Sequence, residues 1–144
     1  MKRVLLDLNV VLDLFLNRPA WVVDAAALWQ ANDAGLIQAC LSIASLPTLF
    51  YVVERQADRE IALKAIDACI HSLRLLSVDR AVVNRARALA GSDFEDDLQI
   101  ASAIESQLDG IVTRDPSGFA HSPIAVHAPG ELLKQLDAGA KPPP

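Results

Sequence analysis

Four carboxylates fall within five residues in the stretch DFEDDLQIASA, residues 93–103, and an apolar, helix-like pattern follows at once. Two more acids stand where apolar runs end: Asp7 after RVLL and Asp115 after GIVTR. Neighbouring carboxylates repel and raise one another's pKa, so acids kept ionised together near neutral pH require a cation. Hard oxygen donors suit Mg²⁺ or Mn²⁺, which bind through a few carboxylates plus water and leave positions open for a phosphate. The chemistry that follows is metal-assisted phosphodiester hydrolysis, in which the ion polarises the phosphate, lowers the pKa of the attacking water and steadies the leaving oxygen. A blander account competes with this one. SDFE, residues 92–95, matches the S-x-x-E capping box, and acids in a first helical turn complement the helix dipole by a few tenths to ~1 kcal/mol each. Capping accounts for Ser92, Asp93 and Glu95 and leaves Asp96 and Asp97 over. On a helical wheel Asp96 sits near Ile100 and Ala103, and Asp97 near Ala101, Ile104 and Leu108, so both lie at or within the inward stripe. Unpaired charge is costly there, which favours a metal-bound or hydrogen-bonded role for at least one of them. Periodicity does not choose between the two.

The elements that must position these acids can be read from hydrophobic pattern and punctuation. Residues 3–8 form a short continuous apolar run, the mark of a strand covered on both faces, with Asp7 at its carboxyl end. A helix follows to about Asn17, RPA breaks it, and Pro19 suits the first turn of a second helix through about Asp33, ended by Gly35. Residues 36–42 read as a second buried strand. Ser45 as N-cap and Pro47 in the first turn open a third helix, which residues 58–72 continue. LRLLSV supplies a third strand and RAVVNRARALAG a helix closed by Gly91; the acidic segment then begins its own helix to about Leu108. GIVTRD is a fourth strand, IAVHA a fifth, and a short last helix starts near Pro129. Strands alternating with helices imply an α/β fold with a parallel sheet between helical layers. Ligands gather at the carboxyl ends of such strands. Asp7, Asp115 and the 93–97 cluster are therefore expected on one rim.

Composition bounds the possibilities. At 144 residues and 52% hydrophobic, with a mean hydropathy of +0.27, the chain reads as one domain with a substantial core over residues 1–137. The remainder, residues 138–144, ends in KPPP and reads as a disordered or partner-binding tail. No apolar run approaches the ~18 to 20 residues that span a bilayer, and acids interrupt the apolar start MKRVLLDLNVVLDLF, unlike a signal peptide. A cytoplasmic location is expected. Cys40 and Cys69 lie among apolar neighbours without ligand spacing and read as small hydrophobes in a reducing compartment. A net charge of −5 argues against strong non-specific DNA binding but leaves room for a local basic surface or a metal-bridged phosphate contact.

LLDLNVVLDLFLNR near the start, SDFEDDLQIASA and GIVTRDPSGF resemble, in order and spacing across roughly residues 3–128, the PIN-domain nucleases, particularly the VapC-like toxin ribonucleases. The resemblance implies a three-layer α/β/α sandwich with a mostly parallel sheet of four to five strands. It also implies an acidic site holding Mg²⁺ or Mn²⁺, cleavage of single-stranded RNA, a homodimer, and a cognate antitoxin as partner. Carried over residue by residue, Asp7 matches the first acidic ligand and Asn9 the polar residue that supports it. Asp96 matches the acid opening the D-x-L-x-x-A-x-A helix. Asp115 matches the acid or amide after the fourth strand, with Thr113 as its hydrogen-bonding neighbour. One departure stands out. The family usually carries a glutamate in the helix after the second strand, and SLPTLFYVVER has Thr48 at that place. Glu54 comes six residues later, about 9 Å further along a helix, and does not substitute. Asp93, approaching from the other side, and Asp97 are the acids left to compensate.

Other residues receive plainer readings. Asp13 reads as a solvent-facing acid. His71, His121 and His127 have no ligand spacing and receive no catalytic role. Trp21 and Trp29, two helical turns apart, read as packing a core or a dimer face. Arg55, Arg59, Arg80, Arg85 and Arg87 read as solvated surface; Arg114, beside an expected ligand, is the better candidate for an RNA phosphate. Two other function classes compete. LLDLNVV also resembles the nucleophile loop of haloacid-dehalogenase-like phosphohydrolases, in which Asp7 is a covalent nucleophile, but Asn9 stands where the general acid belongs and no lysine lies in a suitable motif. The other rival is a PIN-like module with an impaired site that binds RNA or protein without cleaving it.

Overall fold

A computed structural model describes residues 1–140. Five parallel strands form one sheet in the order β3-β2-β1-β4-β5: β1 (Lys2–Leu6), β2 (Ile37–Ser42), β3 (Arg74–Leu76), β4 (Gly110–Val112) and β5 (Ala125–His127). Alternation along the central strands divides their side chains between two cores. Val4, Leu6, Ala39, Leu41 and Val112 pack on one face with residues of α1 (Leu8–Phe15), α2 (Val22–Asp33), α3 (Leu46–Gln56), α4 (Arg59–Ser72) and α7 (Pro129–Ala140). Leu5, Cys40 and Ile111 face the other side and meet Ile100 and Ala103 of α6 (Phe94–Glu105). Val82 and Ala86 of α5 (Arg80–Leu89) pack on Ala101 of that helix. Leu5, Leu41 and Ile111 are wholly inaccessible, and burying a side chain of this size contributes about 1.5–3 kcal/mol. This is the α/β/α sandwich expected from the alternating pattern. None of the described helices is long and apolar enough to cross a membrane.

The strand order creates the site's location. From central β1 the chain builds outward through β2 to β3, then crosses back to lay β4 on the opposite edge of β1. Crossovers leave in opposite directions from these two neighbours, opening a crevice at their carboxyl ends. Asp7 follows β1 there, with extended backbone (φ −61°, ψ 144°), as the N-cap of α1. Its side chain caps nothing and is free to point elsewhere.

Several local expectations need correction. Residues 58–72 do not continue the preceding helix: Asp58 accepts from the Ile61 amide at 2.8 Å and starts α4 separately. Pro19 precedes α2 rather than opening it, since α2 begins at Val22. Ser45 holds the N-cap position of α3 as expected but makes no side-chain cap, and it also ends a short 3₁₀ turn, Ile43–Ser45. Helix α5 is closed by Ala90 in the left-handed region (φ 51°), one residue before the expected Gly91. Asp93, not Ser92, caps α6, accepting from the amides of Glu95 and Asp96 at 2.9 and 3.2 Å. The last helix runs to Ala140, past the expected boundary at residue 137; the rest of the expected tail, residues 141–144, lies outside the described residues.

Asp13 is not solvent-facing. It is 2% exposed, one oxygen 3.1 Å from Arg18 Nη1 and the other 3.1 Å from Arg114 Nε. The Arg114 N–H is not aimed at that oxygen, so this second contact is an ion pair without hydrogen-bond alignment. The Arg114 guanidinium lies 4.7 Å from the ring centroid of Trp21, whose other parts remain exposed. Trp21 is thus a platform for a cation rather than core, while half-buried Trp29 packs edge-on against Phe15. These contacts tie α1 to the segment after β4. Removing one partner of a buried ion pair leaves a charge uncompensated. Asp13→Ala is expected to lower the unfolding free energy by about 3 kcal/mol, read as a shifted urea midpoint at unchanged slope.

Candidate metal centre

A cavity of about 360 Å³ opens at the carboxyl ends of β1, β2 and β4, lined by Asp7, Asn9, Ser42, Thr48, Asp93, Glu95, Asp96, Gln99 and Asp115 among others. Five of these are acids, and no Lys, Arg or His lines the cavity among the described residues. The three distant segments that carry Asp7, Asp96 and Asp115 do converge. An added Cβ at Gly118 would lie 2.8 Å from Asp96 Oδ2 and 3.9 Å from Asp115 Oδ2. Both oxygens therefore lie within 3.9 Å of a single point.

Each acid is held differently. Asp7 is 6% exposed and takes a hydrogen bond on each oxygen: Thr113 Oγ1 donates to Oδ2 at 2.9 Å and Gln99 Nε2 donates to Oδ1 at 3.2 Å. The same Thr113 hydroxyl accepts from the Asp115 amide at 3.0 Å, so one buried side chain links the ends of β1 and β4. Ser117 Oγ donates to Asp115 Oδ1 at 2.6 Å. Asp96 is half-buried. Its carboxyl is pushed up to about 6, chiefly by burial and then by the charges of Asp93, Asp7, Asp115 and Asp97. Asn9 is exposed at the cavity wall, and Asp93 serves both as helix cap and as lining.

Of Asp96 and Asp97, only Asp96 lines the cavity. Asp97 is 2% exposed, accepts from the Gly91 amide at 2.8 Å and sits 2.7 Å from His121 Nε2. It braces the loop before α6 against the segment after the 3₁₀ turn Pro116–Phe119, and so cannot make up for charge missing from the cavity. Glu95 lines the cavity instead, a placement that the capping reading passed over. Thr48 lines it as well, as an uncharged side chain, while Glu54 pairs with Arg59 at 3.2 Å and is not part of the lining. Arg114 is engaged by Asp13 and Trp21 and does not line the cavity either. Sequence reasoning also missed Gln99, Ser42, Gly118 and the structural partner His121. Gln99 left a signal, being a polar residue inside the apolar stripe three positions after Asp96.

The donor set is oxygen only and rich in carboxylate, which fits a small hard divalent cation. Among the described residues no group of three or more His, Cys, Asp or Glu side chains already stands in ligating geometry. The acids share a space rather than a formed coordination shell, an arrangement compatible with an ion that keeps several waters.

The sequence profile of the PIN domain matches residues 3–117. The chain belongs to the PIN-domain family. Solved structures of similar fold include DNA-bound VapBC from Salmonella typhimurium, with 20% identity, a TM-score of 0.71, and coverage of 90% of this chain and 99% of that one. Another is VapC20 of Mycobacterium tuberculosis, described as a Sarcin-Ricin loop cleaving toxin, at 16% identity and a TM-score of 0.66 over 81% of this chain and 93% of that one. FitAcB of Neisseria gonorrhoeae is 20% identical, with a TM-score of 0.66 over 88% of this PIN domain and 98% of its own chain. No curated protein matches the chain.

Two outcomes are expected of this PIN domain. Folded Asp96 holds its proton up to about pH 6, whereas an unfolded aspartate releases it near pH ~3.9. Without metal, stability should therefore fall as pH rises through that interval and remain lowered above it; Asp96→Asn should flatten the slope of melting temperature against pH. Gly118→Ala would place a methyl group 2.8 Å from Asp96 Oδ2, so the carboxylate must move; divalent-ion affinity should drop about tenfold or more, measured by isothermal titration calorimetry.

Proposed function

We propose that this PIN domain is a metal-dependent endoribonuclease that cleaves single-stranded RNA, with Asp7, Asp96 and Asp115 as the ligands of Mg²⁺ or Mn²⁺. The observation that carries this reading is the cavity itself: Asp7, Asp93, Glu95, Asp96 and Asp115 line it, and no cationic side chain does among the described residues. A site that gathers such charge without internal neutralisation binds a cation from solution. The ion, when bound, would activate a water and polarise the scissile phosphate. The remaining work falls to the chain. Thr113 and Gln99 orient Asp7, Ser117 restrains Asp115, and Asp93 fixes the start of the helix that presents Asp96. Asn9 is exposed at the open wall of the cavity, and in this reading it would meet the substrate.

The fold shared with VapBC and with the toxin VapC20 supports a toxin of a toxin–antitoxin pair, with a cognate antitoxin as protein partner; a homodimeric assembly and a cytoplasmic setting belong to the same proposal. Thr48 is the observation that favours the alternative, an impaired module that binds RNA or protein without cleavage. Glu95 weighs against it by adding a carboxylate to the same cavity. The haloacid-dehalogenase-like reading loses support, because no lysine lines the cavity among the described residues.

Mn²⁺ at a hundredfold excess over Kd should stabilise the fold by about 2.7 kcal/mol, a rise of roughly 5–10 °C in melting temperature. The same preparation should cut a fluorescent single-stranded RNA. Asp7→Asn and Asp96→Asn should each abolish the Mn²⁺ response and reduce cleavage more than about a hundredfold. RNA binding without cleavage and without any response to Mn²⁺ would select the impaired module instead.

A further inference from the structure

Gln99 occupies a position that packing alone would assign to an apolar side chain. It lies three residues after Asp96 in α6, is 7% exposed, and is followed by Ile100 and Ala101, both wholly buried. Its amide reaches the end of β1, 92 residues away in sequence, where Nε2 donates to Asp7 Oδ1 at 3.2 Å. Chemistry sets the orientation of that amide: an ionised carboxylate only accepts, so the nitrogen must face Asp7. The oxygen is thereby turned into the interior, where Gln99 Oε1 is buried and meets no donor among the described residues. A buried acceptor left unpaired destabilises a fold, so packing gives no reason for a glutamine here.

We propose that Gln99 is a positioning residue for the metal centre: it directs the carboxylate of Asp7 into the cavity, at the expense of its own unpaired carbonyl. Thr113 fixes Oδ2 from the β4 side and Gln99 fixes Oδ1 from α6, so the carboxylate plane is held from two elements at once. Either contact alone leaves the group free to turn about the other. The lone pairs not used by these donors are the ones available to a cation, and their direction is the quantity that Gln99 controls. This inference rests on the metal-binding reading above.

The test compares wild type with Gln99→Leu and Gln99→Met, both apolar and of similar volume, in the full chain. Melting temperature is measured in EDTA and then during Mn²⁺ titration. The expected result is a melting temperature in EDTA close to that of wild type, because losing the unpaired carbonyl offsets losing the hydrogen bond to Asp7, together with Mn²⁺ affinity weakened about 10- to 100-fold. A merely structural role would lower the melting temperature and leave the Mn²⁺ affinity unchanged. If either variant keeps the full Mn²⁺ response, whatever its melting temperature in EDTA, Gln99 does not position Asp7 and the proposal is overturned. If wild type itself shows no Mn²⁺ response, the metal-binding reading fails first and this inference falls with it.

Discussion

Negative charge gathered between the ends of β1 and β4, with no cationic side chain lining the cavity among the described residues, is the constraint around which the rest of this PIN domain is arranged. The strand order makes the crevice, but a crevice does not by itself hold mutually repelling groups in place. Hydrogen-bond donors do so here, each from a different element: Thr113 and Gln99 on Asp7, Ser117 on Asp115. Asp96 is left with the consequence, a carboxyl pushed up to about 6 by burial and by its neighbours. The sheet and the helical layers provide the rigidity against which that repulsion is held, since the strands that carry Asp7 and Thr113 have cores on both faces.

The two faces of α6 divide the labour between chemistry and support. Asp96 and Gln99 look toward the cavity. Asp97 looks away, and with Gly91 and His121 it fastens the loop before the helix to the segment after β4. An added Cβ at Gly91 would meet Asp97 Oδ1 and His121 Nε2, each at 2.5 Å, so the tight approach depends on the absence of a side chain there. Asp13 performs a comparable service on the opposite side of the sheet, where it draws in Arg18 and Arg114. Acids that looked interchangeable by composition thus have separate duties, decided by which way each one points.

Much of the fold was legible because hydrophobic pattern reports burial directly. RVLLDL and LIQACLS read as buried strands and GIVTRD as a further strand, and strands are found there over Lys2–Leu6, Ile37–Ser42 and Gly110–Val112, each shorter or shifted by one to three residues. The convergence of Asp7, Asp96 and Asp115 was legible for the same reason, since the ends of parallel strands share one rim. What escaped was whatever depended on a partner distant in sequence. Asp13 has no local sign that Arg114, far along the chain, will come to lie beside it. Residues 58–72 keep a helical pattern across a boundary that only the Asp58 cap reveals. The choice of Asp93 over Ser92 as cap is a shift of one position, which pattern alone does not resolve because both residue types cap well.

Thr113 joins two strand ends through a single oxygen, and a hydroxyl has only one hydrogen to give. That hydrogen is committed to Asp7, and the lone pairs face the Asp115 amide. The link is therefore directional: a disturbance that rotates the hydroxyl toward another acceptor loosens both chain segments together. Valine would match the shape of threonine and sever both contacts, whereas serine would keep them but surrender the methyl group that holds the rotor still. The two sides of the crevice thus share one hydroxyl as a common contact.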